Sequence, residues 1–349
     1  MRILTIALLA AATWPAGAWA AGQGCERACL RNLGNRLLAS MVAHDPGSLP
    51  LSHRYAATEN GAAAALPMMT LWRTATGIES RYYVIDPQSR QLFLVAAIAE
   101  GAHDSLVFGR IAVDHEARLS QVELYTNRSM GDGGFQFGLQ NGPMQFPSRV
   151  WTRAISPTQR ESRAALLRAG RSIFDPALSA PPVAAGCLMM ENGKYSDDNF
   201  KVLKYLLPPS GRRTALQHNA QGLGLVPCMN PAQRPADRLA RTTIADRRKG
   251  IVVSMAMIPG VVQPYLVTHP TESAFVPNAI APPYQKLLVA QYRSGAFTAP
   301  RLQAMPVTAA VAQLFRIYDG KIHGVLLLIN VEPPGSKSPW VVRGRRPAP

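Results

Sequence analysis

Apolar residues recur at Leu30, Leu33, Leu37, Leu38 and Met41 within CERACLRNLGNRLLASMVAHD. Steps of three and four predict an amphipathic helix, and Pro46 marks its stop. The period then changes. RYYVIDPQSRQLFLVAAIAEG (81–101) and FGRIAVDHEARLSQVELYTNR (108–128) are long strand-like runs broken by short polar turns. A second helix is predicted in SPTQRESRAALLRAGRSIFD, with Ser156 as its N-cap and Pro157 as its first residue. Strand-like runs return in RTTIADRRKGIVVSMAMIPG (241–260) and LFRIYDGKIHGVLLLINVEP (314–333), where Asp319-Gly320 is a hairpin signal.

These runs repeat in order. Glu59-Asn60-Gly61 returns as Glu191-Asn192-Gly193. Asp86 matches Asp246, Gly101 matches Gly260 with one residue of slip, and Asp114 and Asp319 each sit between two strand-like runs. The order implies a tandem duplication. Each copy opens on a helix and continues into a curved antiparallel sheet, an α+β layer fold. The units are expected over 25–130 and 155–333, joined by a packed linker at 131–154 rich in Gly and Pro. Two insertions, near 194–237 and 261–304, interrupt the second unit. The later one is proline-rich and reads as an extended surface loop or lid. A basic disordered tail is expected over 334–349.

With 349 residues and 47% hydrophobic content, the chain has material for two medium domains and is not a disordered protein. Residues 1–20 read as a secretory signal peptide: Arg2, an apolar run, then Ala18-Trp19-Ala20 as the cleavage site. The expected location is therefore periplasmic or secreted, without membrane insertion. Export makes the four cysteines read as two disulfides, Cys187–Cys228 and Cys25–Cys29. The second pair is four residues apart, so the helix start has to distort. Their spacing fits no common zinc motif, and no metal is expected. The formal charge is +16, with 30 Arg to 7 Lys. The arginines are scattered outside the tail RGRRPAP, a basic surface rather than a nucleic-acid site. Neither GDGG nor GLGL has the context of a phosphate loop, so no cofactor is expected.

The stretch LASMVAHDPGSLPLSHRYAATENG, the Trp of LWRT and the run LSQVELY resemble the SnoaL-like domains of the nuclear-transport-factor-two-like superfamily. More narrowly, the chain resembles an exported family of tandem SnoaL-like units. There the first unit carries His-Asp, Leu-Pro-Leu and Glu-Asn-Gly, and the second carries Cys before Glu-Asn-Gly. The resemblance implies cone-shaped α+β units whose open end forms an apolar pocket. Enzymes of that superfamily mostly move protons on hydrophobic small molecules, and some are formaldehyde-eliminating lyases on lignin-derived dimers.

Such chemistry needs a tuned acid or base and a donor for a developing oxyanion. The candidates are His44 and Glu100 as the base and Tyr82 as the oxyanion donor. Glu59, Trp72, Tyr83, His53 and His103 are the candidates for substrate binding. Each has a structural alternative. His44 suits a helix C-terminus, Glu59 a turn, Trp72 the core and His53 a solvated loop. Tyr82 and Tyr83 alternate, so only one faces the cavity. Glu123 is expected to face solvent. The second unit lacks the His-Asp pair and has Pro259 in place of Glu100, which makes it a structural partner. Tyr265, His269 and Tyr284 are the candidates for a site between the units. The expected function is an exported, cofactor-independent lyase or isomerase on an apolar or aromatic small molecule, with homo-oligomerisation compatible. The competing expectation is a non-catalytic small-molecule-binding or structural envelope protein.

Overall fold

A computed structural model describes residues 25–128, 149–175, 177–192, 194–195, 240–262, 275–278 and 305–341. The expected signal peptide, most of the expected linker and of both expected insertions, Cys228, Gly193, Tyr265, His269 and Tyr284 lie outside the described residues.

The first helix, α1, spans Arg27–Val42 and buries all five residues of the predicted stripe. Its end is a Schellman turn. The His44 amide donates to Met41 O (3.0 Å) and the Asp45 amide to Ser40 O (3.0 Å), with His44 at φ +54°, where glycine is usual. Pro46 opens a 3-10 turn beyond it. At the other end Cys25 precedes the helix and Glu26 is an extended N-cap. The Cys25–Cys29 disulfide therefore closes across the helix boundary, with Cα atoms 5.3 Å apart. Cys187 is also disulfide-bonded.

The first sheet comprises β1 (Leu51–Glu59), β2 (Ala62–Ala63), β3 (Gly77–Asp86), β4 (Gln91–Glu100), β5 (His103–Val113) and β6 (Leu119–Asn127), with a one-turn helix α2 (Leu71–Thr74) before β3. Its order is β2-β1-β6-β5-β4-β3. The second half starts with α3 (Arg149–Thr152) and α4 (Arg163–Ser172). Its strands are β7 (Val183–Glu191), β8 (Lys194–Tyr195), β9 (Arg241–Asp246), β10 (Ile251–Val262), β11 (Phe275–Pro277), β12 (Met305–Tyr318) and β13 (Lys321–Glu332). Read as β8-β7-β13-β12-β10-β9, the second sheet repeats the first strand for strand, and β11 extends the β10 edge beyond β9.

Both sheets are mixed rather than antiparallel. β1 runs parallel to β6 and β7 runs parallel to β13, because each first strand pairs antiparallel with its short sequence neighbour on one edge and takes the last strand of its own half on the other.

The layers follow from alternation along the strands. Leu92, Leu94, Val107 and Leu124 face α1. Phe93, Val95, Phe108 and Tyr125 face the opposite way and pack with Val253, Ala312, Leu314 and Leu328 of the second sheet. On the far side Val252, Val311 and Phe315 pack with Leu166 and Phe174, at α4 and just beyond it. Helix, sheet, sheet and helix are thus stacked, and each sheet is covered on both faces. This explains why LFLVAAI and VLLLI read as unbroken apolar runs rather than alternating ones.

Four local expectations are corrected. The N-cap of α4 is Ser162, whose Oγ accepts from the Ala165 amide, while Pro157 belongs to a separate 3-10 turn. Gly260 lies inside β10, whereas Gly101 forms a turn at φ +69°. Residues 334–341 are not a free tail. They fold back over the sheets, with Trp340 Nε1 donating to Thr58 Oγ1 (2.9 Å) and the Arg110 guanidinium 4.8 Å from the Trp340 ring centroid. Glu123 does not face solvent. It is fully buried between the sheets.

Candidate functional site

The sequence-derived candidates divide between three places. The first is the C-terminal end of α1. His44 caps that helix, and its Nδ1 lies 2.9 Å from Trp72 O. Trp72 is core: its Nε1 donates to Ser40 Oγ (3.1 Å) beneath the helix. Tyr83 lies on this face as well, donating to Asn35 Oδ1 (3.0 Å), and burial raises its phenol to about 12. No deprotonation at neutral pH follows from that value.

The second place is the rim of the first sheet. There Arg128 forks onto Glu100, Nε to Oε2 at 2.7 Å and Nη2 to Oε1 at 2.9 Å. Thr74 and Ser105 hydroxyls also donate to Glu100. Burial works to raise the Glu100 carboxyl, but Arg128 and the two hydroxyls outweigh it and hold it below its usual range. A general base needs the opposite tuning. Glu59 stands beside this group, 3.8 Å from Arg128. Its carboxylate takes the Thr70 amide (2.7 Å), the Thr70 hydroxyl (2.9 Å) and the Leu71 amide (3.2 Å). It caps α2, where the sequence offered substrate binding or a turn. His53 and His103 are exposed on β1 and at the start of β5.

The third place is between the sheets. Tyr82 points there, away from Tyr83, and its hydroxyl donates to Trp151 O (2.6 Å). Burial and the nearby Asp246 raise the phenol strongly, and Lys249 Nζ sits 4.0 Å from its ring centroid. The three proposed catalytic groups are therefore not brought together. His44 closes a helix, Glu100 is locked in a salt bridge at the sheet rim and Tyr82 is in the inter-sheet core. The face beneath α1, where a cone-like unit would hold ligand, is filled by Leu30, Leu37, Met41, Leu66, Leu71 and Trp72, each 2% exposed or less.

The structure instead shows a cavity of about 280 Å³ on the second sheet, at the end of the inter-sheet layer. Met255, Met257 and Ala310 give it an apolar floor, and Tyr125 and Arg241 one wall. Ser336, Lys337, Ser338 and Val341 of the C-terminal segment close it. Behind that wall lies a charge cluster. Glu123 accepts from Arg110 Nε (2.8 Å) and from both terminal nitrogens of Arg241, Nη1 at 3.0 Å and Nη2 at 2.5 Å. The Tyr125 hydroxyl also donates to Glu123 (3.2 Å). Burial first, then the Glu123 charge, raises the Tyr125 phenol. Asn330 and Glu332 follow Leu326 and Leu328 at one-in-two spacing on β13. Burial lifts the Glu332 carboxyl to about 7, against a hydrogen bond from Asn330 Nδ2 at 2.6 Å.

Sequence reasoning missed these residues because each looked ordinary alone. One signal was available: Glu123 stands between Val122 and Leu124 in the continuously buried end of β6, and has no solvent side to point to once both sheet faces are covered. No group of three or more His, Cys, Asp or Glu side chains arranged to hold a metal occurs among the described residues. No described helix is long and apolar enough to cross a membrane. The Asn127-Arg128-Ser129 sequon is buried at Asn127, which donates to Ile329 O (2.9 Å).

Residues 159–327 match a protein family described as a domain of unknown function, DUF8021. No curated protein and no solved structure matches the chain.

Proposed function

We propose that the chain is an exported, non-catalytic small-molecule-binding protein built from two SnoaL-like units, with its ligand held between the sheets rather than under α1. One observation carries the reading. The groups suited to acid–base chemistry are apart and each satisfied, while the cavity with an apolar floor and a few polar wall groups lies elsewhere, as ligand sites usually do. At about 280 Å³ it admits one ring, not a two-ring lignin fragment. The second unit then supplies the floor of the site and is more than a structural partner. The Cys25–Cys29 disulfide, the disulfide-bonded Cys187 and the signal-like leader support export.

Native mass spectrometry of the protein purified from the culture of its own host tests this. A bound small molecule that leaves on denaturation is expected. Turnover of an aromatic substrate panel that is abolished by both His44→Ala and Glu100→Gln would overturn the proposal and restore the lyase reading.

A further inference from the structure

We propose that the inter-sheet cavity selects a small carboxylate, with a single ring or branched chain on Met255 and Met257 and the anionic group toward Lys337 and Arg241. This rests on the binding reading above and adds the ligand's charge to it.

Charge is the first argument. Behind the wall, the one carboxylate of Glu123 is shared by two guanidiniums, Arg110 and the cavity-lining Arg241, so this ion-paired group carries a net positive charge. Glu123 engages only two of the five N–H groups of Arg241. Those remaining are donors on a residue that lines the cavity. Lys337, which also lines the cavity, adds a second positive charge. An anion placed there meets two cations at the edge of a low-dielectric space, where attraction exceeds its value in water. Glu332 is the carboxyl that opposes this, and burial keeps its proton on to about neutral pH.

Size and shape are the second argument. The cavity has the room of roughly nine water molecules at ~30 Å³ each, which is the room of a benzoate-sized molecule. Methionine side chains adapt to flat or branched apolar bodies without a fixed template. Of the two serines that line the cavity, Ser336 donates its proton to Pro333 O (2.7 Å), while Ser338 accepts the Trp340 amide and keeps its own proton to donate.

The test is calorimetric titration of the full mature chain with benzoate and with its neutral isostere benzamide. Benzoate is expected to bind at least tenfold more tightly than benzamide, and less tightly as salt rises. Lys337→Gln should weaken benzoate several-fold and leave benzamide unchanged. Met257→Trp, which fills the floor, should abolish both. Equal affinity for the two probes overturns the charge selection while leaving the binding reading intact. Benzoate binding untouched by Met257→Trp places the anion elsewhere and also overturns it. Failure of both probes to bind at millimolar concentration removes the binding reading for this cavity, and the present inference with it.

Discussion

Arg27, in the first turn of α1, places its two terminal nitrogens 2.9 and 2.6 Å from the carboxylate of Asp246, which ends β9 in the other half of the chain. Arg163, the first residue of α4, places Nε and Nη2 each 2.9 Å from the carboxylate of Asp86, which ends β3 in the first half. Asp246 also accepts the Ile85 amide, and Asp86 the Ala245 amide. Each half thus supplies the cation for the other half's anion, the reciprocity of a two-fold interface. Both carboxylates are buried, and the guanidiniums are 21% and 23% exposed.

Removing either anion leaves a partly buried guanidinium and a backbone amide without a partner. Asp246→Ala and Asp86→Ala are each expected to lower the unfolding free energy by about 3 kcal/mol. Denaturant titration checks this. A loss below about 1 kcal/mol in both would show that the pairs do not hold the halves together.

Glu123→Gln should cost more than a surface change, because Arg110 and Arg241 would keep their charge and lose their counter-charge. A loss of about 3–5 kcal/mol is expected, read as a lower denaturation midpoint. Burial already pushes the Arg110 guanidinium below its ordinary value, with Glu123 pulling it back up. The variant removes that pull.

Glu332 predicts an acid-side gain in stability. Its carboxyl titrates near 7 in the fold and near 4.5 when unfolded, so the folded state binds more protons between those values. That contribution is complete below about 4.5 and is lost as pH rises through 7. Allowing for partial exposure, the loss is about 1 kcal/mol. Melting temperatures measured from pH 5 to pH 8 should fall by a few degrees more in the native protein than in Glu332→Gln.

Asn60 and Asn192 stand at φ +50° and +46°, and their side-chain oxygens accept the amides of Thr126 (2.7 Å) and Ile329 (2.9 Å). Their own amides donate to Leu124 O and Leu327 O. Asn60→Ala and Asn192→Ala are expected to destabilise by similar amounts, about 1–3 kcal/mol each, through the strained backbone and the orphaned amide. Glycine at either site should recover the backbone part. Equal unfolding curves for Ala and Gly variants would contradict the account.

The repeated triplet was legible because its Asn holds one position in both sheets, where β1 meets β6 and β7 meets β13. Helix α1 was legible from its stripe. The strands were legible as runs, but their two covered faces were not, since an apolar run looks the same whether a helix or a second sheet covers it. Burial of Glu123 follows only from that packing. The same limit misplaced Tyr82: alternation separates it from Tyr83, yet which side holds a ligand depends on how tightly α1 fills its own face. The cavity was hidden for another reason. Its lining joins Met255 and Met257 to Lys337 and Val341, about eighty residues apart, through a tail that composition alone marks as unstructured.

Trp340 is the last large side chain of the described residues, and it is fastened between Thr58 and Arg110 of the first half. Residues that follow β13 in sequence therefore close over strands of the first half, and the same segment lines the cavity from Ser336 to Val341. A chain clipped before Ser336 would keep the strands of both sheets and lose the segment that closes the cavity over Met255 and Met257.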